Sequence, residues 1–427
     1  MRKCRMPRFF YSLLLYVLLP LLAIKLCVRS MKQRGYRPYW RERFGCYDLP
    51  RQRPVIWLHC VSVGETRAAA PLITALLAAY PQHSILLTHG SASGRATSEQ
   101  LFGERVQRAY LAYDLPFAVK RFLKHFQPDL GVLMETELWF NLLAACQQQG
   151  IPMLLANARL SEKSAAGYAK LGKLARDGLQ SLSLIAAQTS QDAARFQQLG
   201  ANQVATLGQL KFDVLAPGDA KAQGQYLRAL FGVTRPVFLA ASTRDGEEAL
   251  ILDAIAQANV AGLLTVIVPR HPQRFELVAA LLKKRALVYE KRSQLNQPVS
   301  SHCQVILGDS MGELFSYYAS ADLCLVGGSL LPYGGQNLIE PMRMGKAVLI
   351  GEHSYNFSEV AATAVAKCAA WRVSSPAEIA QALQALFSHP EQGHAMGAQG
   401  LALCEAAQGA TQRTLAFIAS RLKRPNE

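Results

Sequence analysis

The chain has 427 residues, half of them hydrophobic, which is enough for two or three domains with sizeable cores. Its formal net charge of +16 is concentrated in residues 1–53, which hold thirteen Lys or Arg residues and only two acidic residues. The remainder has the charge balance of an ordinary soluble protein. This distribution argues against a nucleic-acid-binding surface over the whole fold, so we expect no nucleic-acid partner.

The nine cysteines and nine histidines restrict the chemistry further. No C-x-x-C pair occurs, and several cysteines lie in apolar runs, as is typical of reduced thiols in the cytosol. The histidines show no H-E-x-x-H spacing. We therefore expect neither a structural nor a catalytic metal ion.

The N-terminus contains a long uncharged apolar segment, Phe9–Ile24. Extended by the next four residues, it would form a helix of about 30 Å, the thickness of the hydrocarbon core, with a kink at Pro20. We predict an uncleaved membrane anchor over residues 1–30. The basic residues that follow it place the large domains on the cytoplasmic face. A cleaved signal peptide and a helix lying in the membrane interface are the alternatives.

Aromatic and basic residues alternate after this segment, in "RGYRPYWRERFGCY". This composition suits a surface of anionic headgroups, and the alternative is a solvated linker. The predicted partners at this end of the chain are therefore anionic membrane lipids.

From Pro54 onward, short apolar runs alternate with helical patterns. The strands predicted in the first half are "PVIWLHC", "HSILLTHG", "DLGVLME", "IPMLLAN", "LSLIAAQT" and "NQVATLG". Helices are predicted after Glu65, over "ELWFNLLAACQQQG", and over "SQDAARFQQLGA" with Ser190 as the N-cap.

The pattern restarts after the turn-rich segment "KFDVLAPGDAKAQGQ". The strands predicted there are "RPVFLAAST", "GLLTVIVPRHP", "ALVYE", "QVILGDS", "DLCLVGGS" and "KAVLIG", and helices lie between them and from Pro376 onward. Alternating strands and helices indicate two doubly wound α/β domains facing a cleft, with ligands outside the carboxyl ends of parallel strands. The predicted domains cover residues 31–215 and 225–405, and residues 406–427 form a C-terminal helix.

Acidic residues follow two predicted strands of the first half. Glu65 comes after "HCVSVG", near a helix N-terminus whose dipole should lower its pKa and keep it charged, so it is a candidate general base. Simple capping of its own helix is the alternative. Glu135 and Glu137 follow the strand "DLGVLM", where one could cap a helix and the other face the cleft. Lys211 could bind an anion or pair with Asp213.

Candidate anion-binding residues follow the strands of the second half. Arg270 lies at the end of "LLTVIV", where a planar guanidinium suits phosphate or carboxylate. The glycine-rich loop "VGGSLLPYGGQNLIEPMRMG" offers amides and a helix start as a phosphate seat, with Glu340 placed to bind a ribose diol. The spacings of P-loop NTPases and of dinucleotide oxidoreductases are both absent, which disfavours these classes.

Eight motifs taken in order resemble the bacterial 3-deoxy-D-manno-octulosonic acid (Kdo) transferase family, from about residue 30 to residue 360. They are "HCVSVGE", "METELWFN", "NARLSEKS", "GQLKFD", "ASTRDGEE", "VPRHPQRF", "GGSLLPYGGQNLIEP" and "GEHSYNF". The resemblance implies a GT-B glycosyltransferase with inverting chemistry at the cytoplasmic face of the inner membrane. It implies CMP-Kdo as the donor substrate, no cofactor, and a lipid A precursor (lipid IVA) as the acceptor, in lipopolysaccharide assembly.

The resemblance also implies roles for particular residues. It makes Glu65 the general base and gives Glu135 and Lys211 a part in supporting the transition state, where Lys211 would help to seat the carboxylate of Kdo. The residues that it implies for CMP binding are Pro269, Arg270, Met311, Gly312, Glu313, Asn337, Leu338, Ile339 and Glu340. The chain departs from the family pattern at Gln336, where the pattern reads "GGHN", and at Phe140, where a proline is frequent.

Two other functions stay open at this point. One is a related GT-B enzyme that uses another sugar nucleotide, as a UDP-sugar transferase or an epimerase. The other is a non-catalytic, membrane-tethered protein that binds nucleotides or nucleic acid. The confinement of the excess positive charge to residues 1–53 argues against the second.

Overall fold

Two parallel β-sheets of seven strands each organise the chain, for which the computed structural model describes residues 7–32, 34–214 and 216–422. The chain divides into a first unit, residues 1–214 with 407–427, and a second unit, residues 215–406. Every strand pair in both sheets is parallel, which confirms the predicted doubly wound α/β class.

The first sheet has the strand order β3-β2-β1-β4-β5-β6-β7. Its strands are β1 Val55–Cys60, β2 Ser84–His89, β3 Gln107–Tyr110, β4 Leu130–Met134, β5 Met153–Ala158, β6 Leu184–Ala187 and β7 Val204–Thr206. The order reverses between β1 and β4, because successive strands are added on one side of β1 and then on the other.

The second sheet has the order β10-β11-β9-β8-β12-β13-β14 and reverses between β8 and β12. Its strands are β8 Val237–Thr243, β9 Leu264–Pro269, β10 Tyr289–Lys291, β11 Val305–Leu307, β12 Leu323–Val326, β13 Ala347–Gly351 and β14 Trp371–Val373.

Helices connect the strands and cover the sheets. Those of the first unit are α1 Arg8–Val17, α2 Leu19–Lys32, α3 Val63–Ala68, α4 Ala70–Ala79, α5 Ala92–Phe102, α6 Pro116–Phe126, α7 Phe140–Gln148, α8 Glu162–Leu171, α9 Lys173–Gln180, α10 Ser190–Gln198 and α19 Ala410–Arg421. The helices that follow α10 and precede α19 in the chain are α11 Ala220–Phe231, α12 Glu247–Ala258, α13 Phe275–Lys284, α14 Leu314–Ser320, α15 Ile339–Arg343, α16 Ser358–Ala366, α17 Pro376–Ser388 and α18 Pro390–Ala407.

Each sheet is buried on both faces, which explains why its central strands are continuous apolar runs. All six residues of β1 are buried, and they alternate between two cores: Val55 and Trp57 pack into one, and Ile56 and Leu58 into the other. All residues of β8 are buried as well, and Phe238 packs into the core on one face of the second sheet.

The C-terminal helix α19 packs in the first unit against α4 and the 3₁₀ turn Leu210–Asp213. The carboxylate of Asp213 accepts the backbone N–H groups of Gly409, at 2.7 Å, and Thr411, at 2.5 Å. Asp213 therefore caps α19, an arrangement that places the turn carrying Lys211 against the C-terminal helix.

The N-terminal apolar segment forms two helices, α1 and α2, bent by 55° at a break at Leu18. Among the described residues no single helix has the length and apolar composition to cross a membrane, and this bent pair meets the test by length and composition alone. The single anchor helix predicted over residues 1–30 is therefore not supported, and residues 1–6 lie outside the described part. Pro20 explains the break, because it has no N–H for a carbonyl one turn earlier.

Polar contacts hold α1 on the body of the first unit. The Tyr11 hydroxyl donates to the Asp114 carboxylate at 2.9 Å, and the Ser12 hydroxyl donates to the Asn141 side chain at 2.9 Å. The opposite side of the helix pair is apolar and exposed, for example at Phe9 and Val17.

Several local predictions were incomplete. The edge strand β3 reads "QRAY" and β14 reads "WRV", so neither has the apolar run by which the central strands were recognised. Thr189, and not Ser190, is the N-cap of α10, where its hydroxyl accepts the Asp192 N–H. The eight described cysteines are free, as expected for reduced thiols.

Candidate active site

Glu65, Glu135 and the glycine-rich loop follow strands at the points where the strand order of each sheet reverses. Parallel sheets bind ligands outside the carboxyl ends of their strands at such a point. In the first unit these ends belong to β1 and β4, which are followed by Glu65 and Glu135. In the second unit they belong to β8 and β12, and the second of these leads into the glycine-rich loop.

Glu65 lies in the first turn of α3 and is 7% exposed. Its carboxylate accepts the Val61 N–H at 2.7 Å and the Ser62 hydroxyl at 3.0 Å, and the Ser62 hydroxyl in turn accepts the Glu65 N–H. Glu65 therefore does help to cap its own helix. Each carboxylate oxygen retains a lone pair, so capping and action as a base are compatible.

The predicted effect of the helix dipole on Glu65 is wrong in sign. Burial, together with the charges of Glu135 and Glu137, raises the pKa of Glu65 to about 7 against the opposing effect of the hydrogen bonds from Val61 and Ser62. The loss of hydration raises the pKa by more than the helix N-terminus lowers it, because the carboxylate is almost wholly removed from water. A carboxyl group with a pKa near neutrality is well matched to proton abstraction.

Glu135 sits at the end of β4 in the left-handed region, with φ 60°. A non-glycine residue held there costs about 1–3 kcal/mol, and such strain collects at functional sites. Burial raises the pKa of Glu135, and the positive charges of Arg159 and Lys211 oppose this shift. Burial and the charge of Glu135 raise the pKa of Glu137.

Neither of these glutamates caps the helix that follows them. The N-terminal amides of α7, at Asn141 and Leu142, donate instead to the carboxylate of Asp114 at 3.0 and 2.8 Å. Glu135 and Glu137 thus remain half-buried beside the strand end.

Lys211 is placed by a second strained residue. Asn157, at the end of β5, has φ 53°, and its side-chain oxygen accepts the Leu210 N–H at 3.2 Å. Asp213, one of the two partners predicted for Lys211, caps α19. The structure brings the charge of Lys211 to act on Glu135, so Glu65, Glu135 and Lys211 belong to one electrostatic group.

In the second unit, the buried carboxylate of Glu247 holds the glycine-rich loop. Glu247 is 0% exposed and accepts the N–H groups of Arg244, Gly328 and Leu330 at 2.8, 2.6 and 2.9 Å. It therefore joins the end of β8 to the loop after β12. Glu247 was not among the predicted site residues, although its position four residues after a strand was the available signal.

The predicted CMP-binding residues of the second unit follow three strands at the same edge of its sheet. Pro269 ends β9, and the Arg270 N–H donates to the Thr243 oxygen at 3.0 Å. The segment from Met311 to Glu313, including Gly312 at φ +85°, follows β11 and precedes α14. The Glu313 carboxylate is paired with Arg292 at 2.7 Å.

The loop end that contains Asn337, Leu338, Ile339 and Glu340 differs from the predicted phosphate seat. Helix α15 has only five residues, and the Asn337 side-chain oxygen accepts the Ile339 N–H at 3.0 Å. The Asn337 amide donates to the Glu340 carboxylate at 3.0 Å. The chain therefore caps this helix start itself, which leaves fewer amides for a phosphate.

Replacing Glu247 by Ala should disorder the glycine-rich loop. Three N–H groups would lose their shared acceptor, and a buried donor without a partner costs about 1–3 kcal/mol. We expect a fall of about 2–4 kcal/mol in the free energy of unfolding, and faster hydrogen exchange at residues 327–336. Glu276→Ala is the control, because this exposed carboxylate pairs with the Lys291 side chain. Unchanged exchange in the loop would contradict the assigned role.

Comparisons with known proteins identify relatives of this chain. A family model described as 3-Deoxy-D-manno-octulosonic-acid transferase (kdotransferase) matches residues 38–214. The 3-deoxy-D-manno-octulosonic acid transferase of Bordetella pertussis is 42% identical over 426 residues, covering 96% of this chain and 98% of that protein. The enzyme of the same name from Haemophilus influenzae is 37% identical over 426 residues, covering 98% and 100%.

A solved structure gives the architecture independently. UDP-GlcNAc 2-epimerase from Neisseria meningitidis, bound to UDP-GlcNAc, superposes with a TM-score of 0.55 at 16% identity, over 86% of this chain and 100% of that one. At this identity the likeness establishes the shared fold alone. The two relatives above 30% identity span nearly the whole chain, and the chain therefore belongs to the 3-deoxy-D-manno-octulosonic acid transferase family.

Proposed function

We propose that this chain is a glycosyltransferase that transfers Kdo from CMP-Kdo to a hydroxyl group of a lipid A precursor, lipid IVA, with inversion at the anomeric carbon. The observation that carries this proposal is Glu65, a buried carboxylate at the carboxyl end of the central strand whose pKa is raised to about 7. The membership of this chain in the Kdo transferase family supports the choice of sugar and of reaction.

In the proposed step, Glu65 removes the proton from the attacking hydroxyl of the acceptor. The hydroxyl oxygen forms a bond to the anomeric carbon of Kdo, and the bond between that carbon and the phosphate oxygen of CMP breaks. The proton ends on Glu65 and CMP leaves with the bonding electron pair. Ser62 and Val61 hold the carboxylate in a fixed orientation before and after the transfer.

Glu135 and Lys211 act on the same step through their charges. The negative charges of Glu135 and Glu137 favour protonation of Glu65, which strengthens it as a base. The positive charge of Lys211 offsets the excess of negative charge around these carboxylates. We propose that Glu135 and Lys211 help to stabilise the transition state through their charges.

The donor binds in this proposal to the second unit, predicted over residues 225–405, and the acceptor to the first, predicted over residues 31–215. Arg270 and neighbouring backbone amides stabilise the leaving phosphate without a metal ion or cofactor. Their position at the carboxyl ends of β9, β11 and β12 is the observation in favour of this assignment.

We further propose that α1 and α2 hold the enzyme at the cytoplasmic face of the inner membrane. The exposed apolar side chains of this helix pair, including Phe9, Phe10 and Leu21, favour contact with lipid. Not every residue of the basic stretch serves this purpose. Arg43 is buried, and its guanidinium donates to the Leu111 oxygen at 3.0 Å.

Replacing Glu65 by Gln should abolish transfer and leave CMP binding unchanged. The amide keeps the shape of the side chain but cannot accept the proton, and the loss of a general base costs about 10²–10⁴-fold in rate. The measurements are Kdo transfer by the purified variant and CMP affinity by calorimetry. Glu99→Gln, at an exposed position, is the matched control. Full activity of Glu65→Gln would refute the proposed base.

The pH dependence of kcat/KM should report the pKa of Glu65. The base must be ionised, so log kcat/KM should rise with a slope near one at acid pH and level off above about pH 7. Glu135→Gln removes a charge that raises the pKa of Glu65, so the inflection of its residual activity should move to lower pH. An inflection that stays in place, or moves up, would contradict this coupling.

A further inference from the structure

A cavity of about 270 Å³ lies in the first unit, between helix α2 and the carboxyl ends of β1, β2, β3 and β4. One of the residues that line it is Val61, whose N–H donates to the Glu65 carboxylate at 2.7 Å. Another is Glu137, whose charge acts on Glu65. The cavity therefore adjoins the proposed base, next to the place where the attacking hydroxyl of the acceptor must lie.

Much of the wall of this cavity is apolar. Leu22 and Leu26 contribute to it from α2, and Leu111 and Ala112 contribute from the segment that follows β3. Arg43 lines the cavity as well, and its guanidinium donates to the Leu111 oxygen at 3.0 Å. A ligand that fits these walls must carry an apolar portion, because hydroxyl groups placed against leucine side chains would lose their hydrogen bonds to water.

His59, in β1, lines the cavity with a neutral imidazole ring that is 1% exposed. Its Nδ1 lies 3.1 Å from the backbone oxygen of Thr88, which can only accept a hydrogen bond. Nδ1 therefore carries the proton, and Nε2 is left with a lone pair as an acceptor. Burial lowers the pKa of His59 to about 3, so the ring stays neutral at physiological pH.

Trp139 supplies a hydrogen-bond donor beside this acceptor. Its ring lies edge-on to that of His59, with 6.3 Å between the ring centroids, and it lines the same cavity. Within the part of the chain that the structure describes, neither Nε2 of His59 nor Nε1 of Trp139 has a hydrogen-bond partner, although both atoms are buried. Buried polar atoms are normally satisfied, so this pair indicates a ligand that brings one donor and one acceptor.

We propose that this cavity is a subsite for an acyl chain of the acceptor, and that His59 and Trp139 recognise the amide group that links the chain to the sugar. The amide N–H donates to Nε2 of His59, and the amide oxygen accepts the N–H of Trp139. The first methylene groups of the chain contact Leu22 and Leu26 of α2. The inference rests on the proposed function and adds to it the residues that select the acceptor.

The indole N–H of Trp139 reports binding without any transfer reaction. The chain has four tryptophans, so labelling them with ¹⁵N gives a short set of indole signals, and the signal lost in Trp139→Phe belongs to Trp139. We expect the tetra-acylated lipid A precursor, in detergent micelles without CMP-Kdo, to shift this signal. A phospholipid with chains of the same length should leave it in place. An equal shift with the phospholipid, or none with the precursor, would overturn the subsite.

The kinetic test separates the Michaelis constant (KM) of the acceptor from that of the donor. Trp139→Phe keeps an aromatic ring but removes the N–H, so it should raise the acceptor KM by about 3- to 10-fold and leave the donor KM within about twofold. Leu22→Trp narrows the cavity from the half-buried side of α2 and should raise the acceptor KM by about 10-fold. The matched controls, Trp371→Phe and Leu277→Trp, lie in the second unit and should change neither constant.

A precursor with ester oxygens in place of its amide nitrogens tests the role of His59. This analogue has no N–H to donate, so its KM with the wild-type protein should be about 3- to 10-fold higher, and His59→Phe should remove the difference. A difference that persists in His59→Phe would overturn the assignment, and the Trp139 signal tests the subsite even if that variant does not fold. A wild-type protein that binds the precursor at Trp139 but transfers no Kdo would refute the proposed function and leave the subsite intact.

Discussion

A buried glutamate lies just beyond the first strand of each sheet, and backbone amides hold it there. Burying a carboxylate is costly unless hydrogen bonds replace its lost hydration. The two glutamates differ in the number of hydrogen bonds that they accept. Glu247 accepts N–H groups from three segments and acts as a scaffold for the glycine-rich loop. Glu65 accepts one N–H and one hydroxyl, and burial raises its pKa to about 7 against these hydrogen bonds.

Backbone strain appears at the same strand ends. Glu135, Asn157 and Ser242 are non-glycine residues with φ between 53° and 60°; Glu135 directly follows a buried strand, and the other two are the penultimate residues of theirs. Such conformations cost about 1–3 kcal/mol each, and the rigid parallel sheets sustain them. Two of these residues serve the first site: the charge of Glu135 acts on Glu65, and the Asn157 side chain holds the turn that carries Lys211.

The strands and candidate site residues that could be predicted from the sequence are those that a local pattern of residues marks. β1 and β8 are largely apolar because both faces are buried, and Glu65, after β1, was recognisable as a candidate site residue because it follows such a run. The pKa of Glu65 could not be predicted, since a helix dipole is visible in sequence but burial and the charge of Glu135 arise only from tertiary packing. The cap of α7 by Asp114 and the anchoring of the loop by Glu247 depend on distant segments in the same way.

The most direct test is to incubate the purified protein with CMP-Kdo and a tetra-acylated lipid A precursor and to weigh the lipid product by mass spectrometry. We expect a gain of whole Kdo units that depends on CMP-Kdo and is absent with UDP-sugars. An unchanged lipid mass with CMP-Kdo, together with consumption of a UDP-sugar, would contradict it and assign the site to another sugar nucleotide.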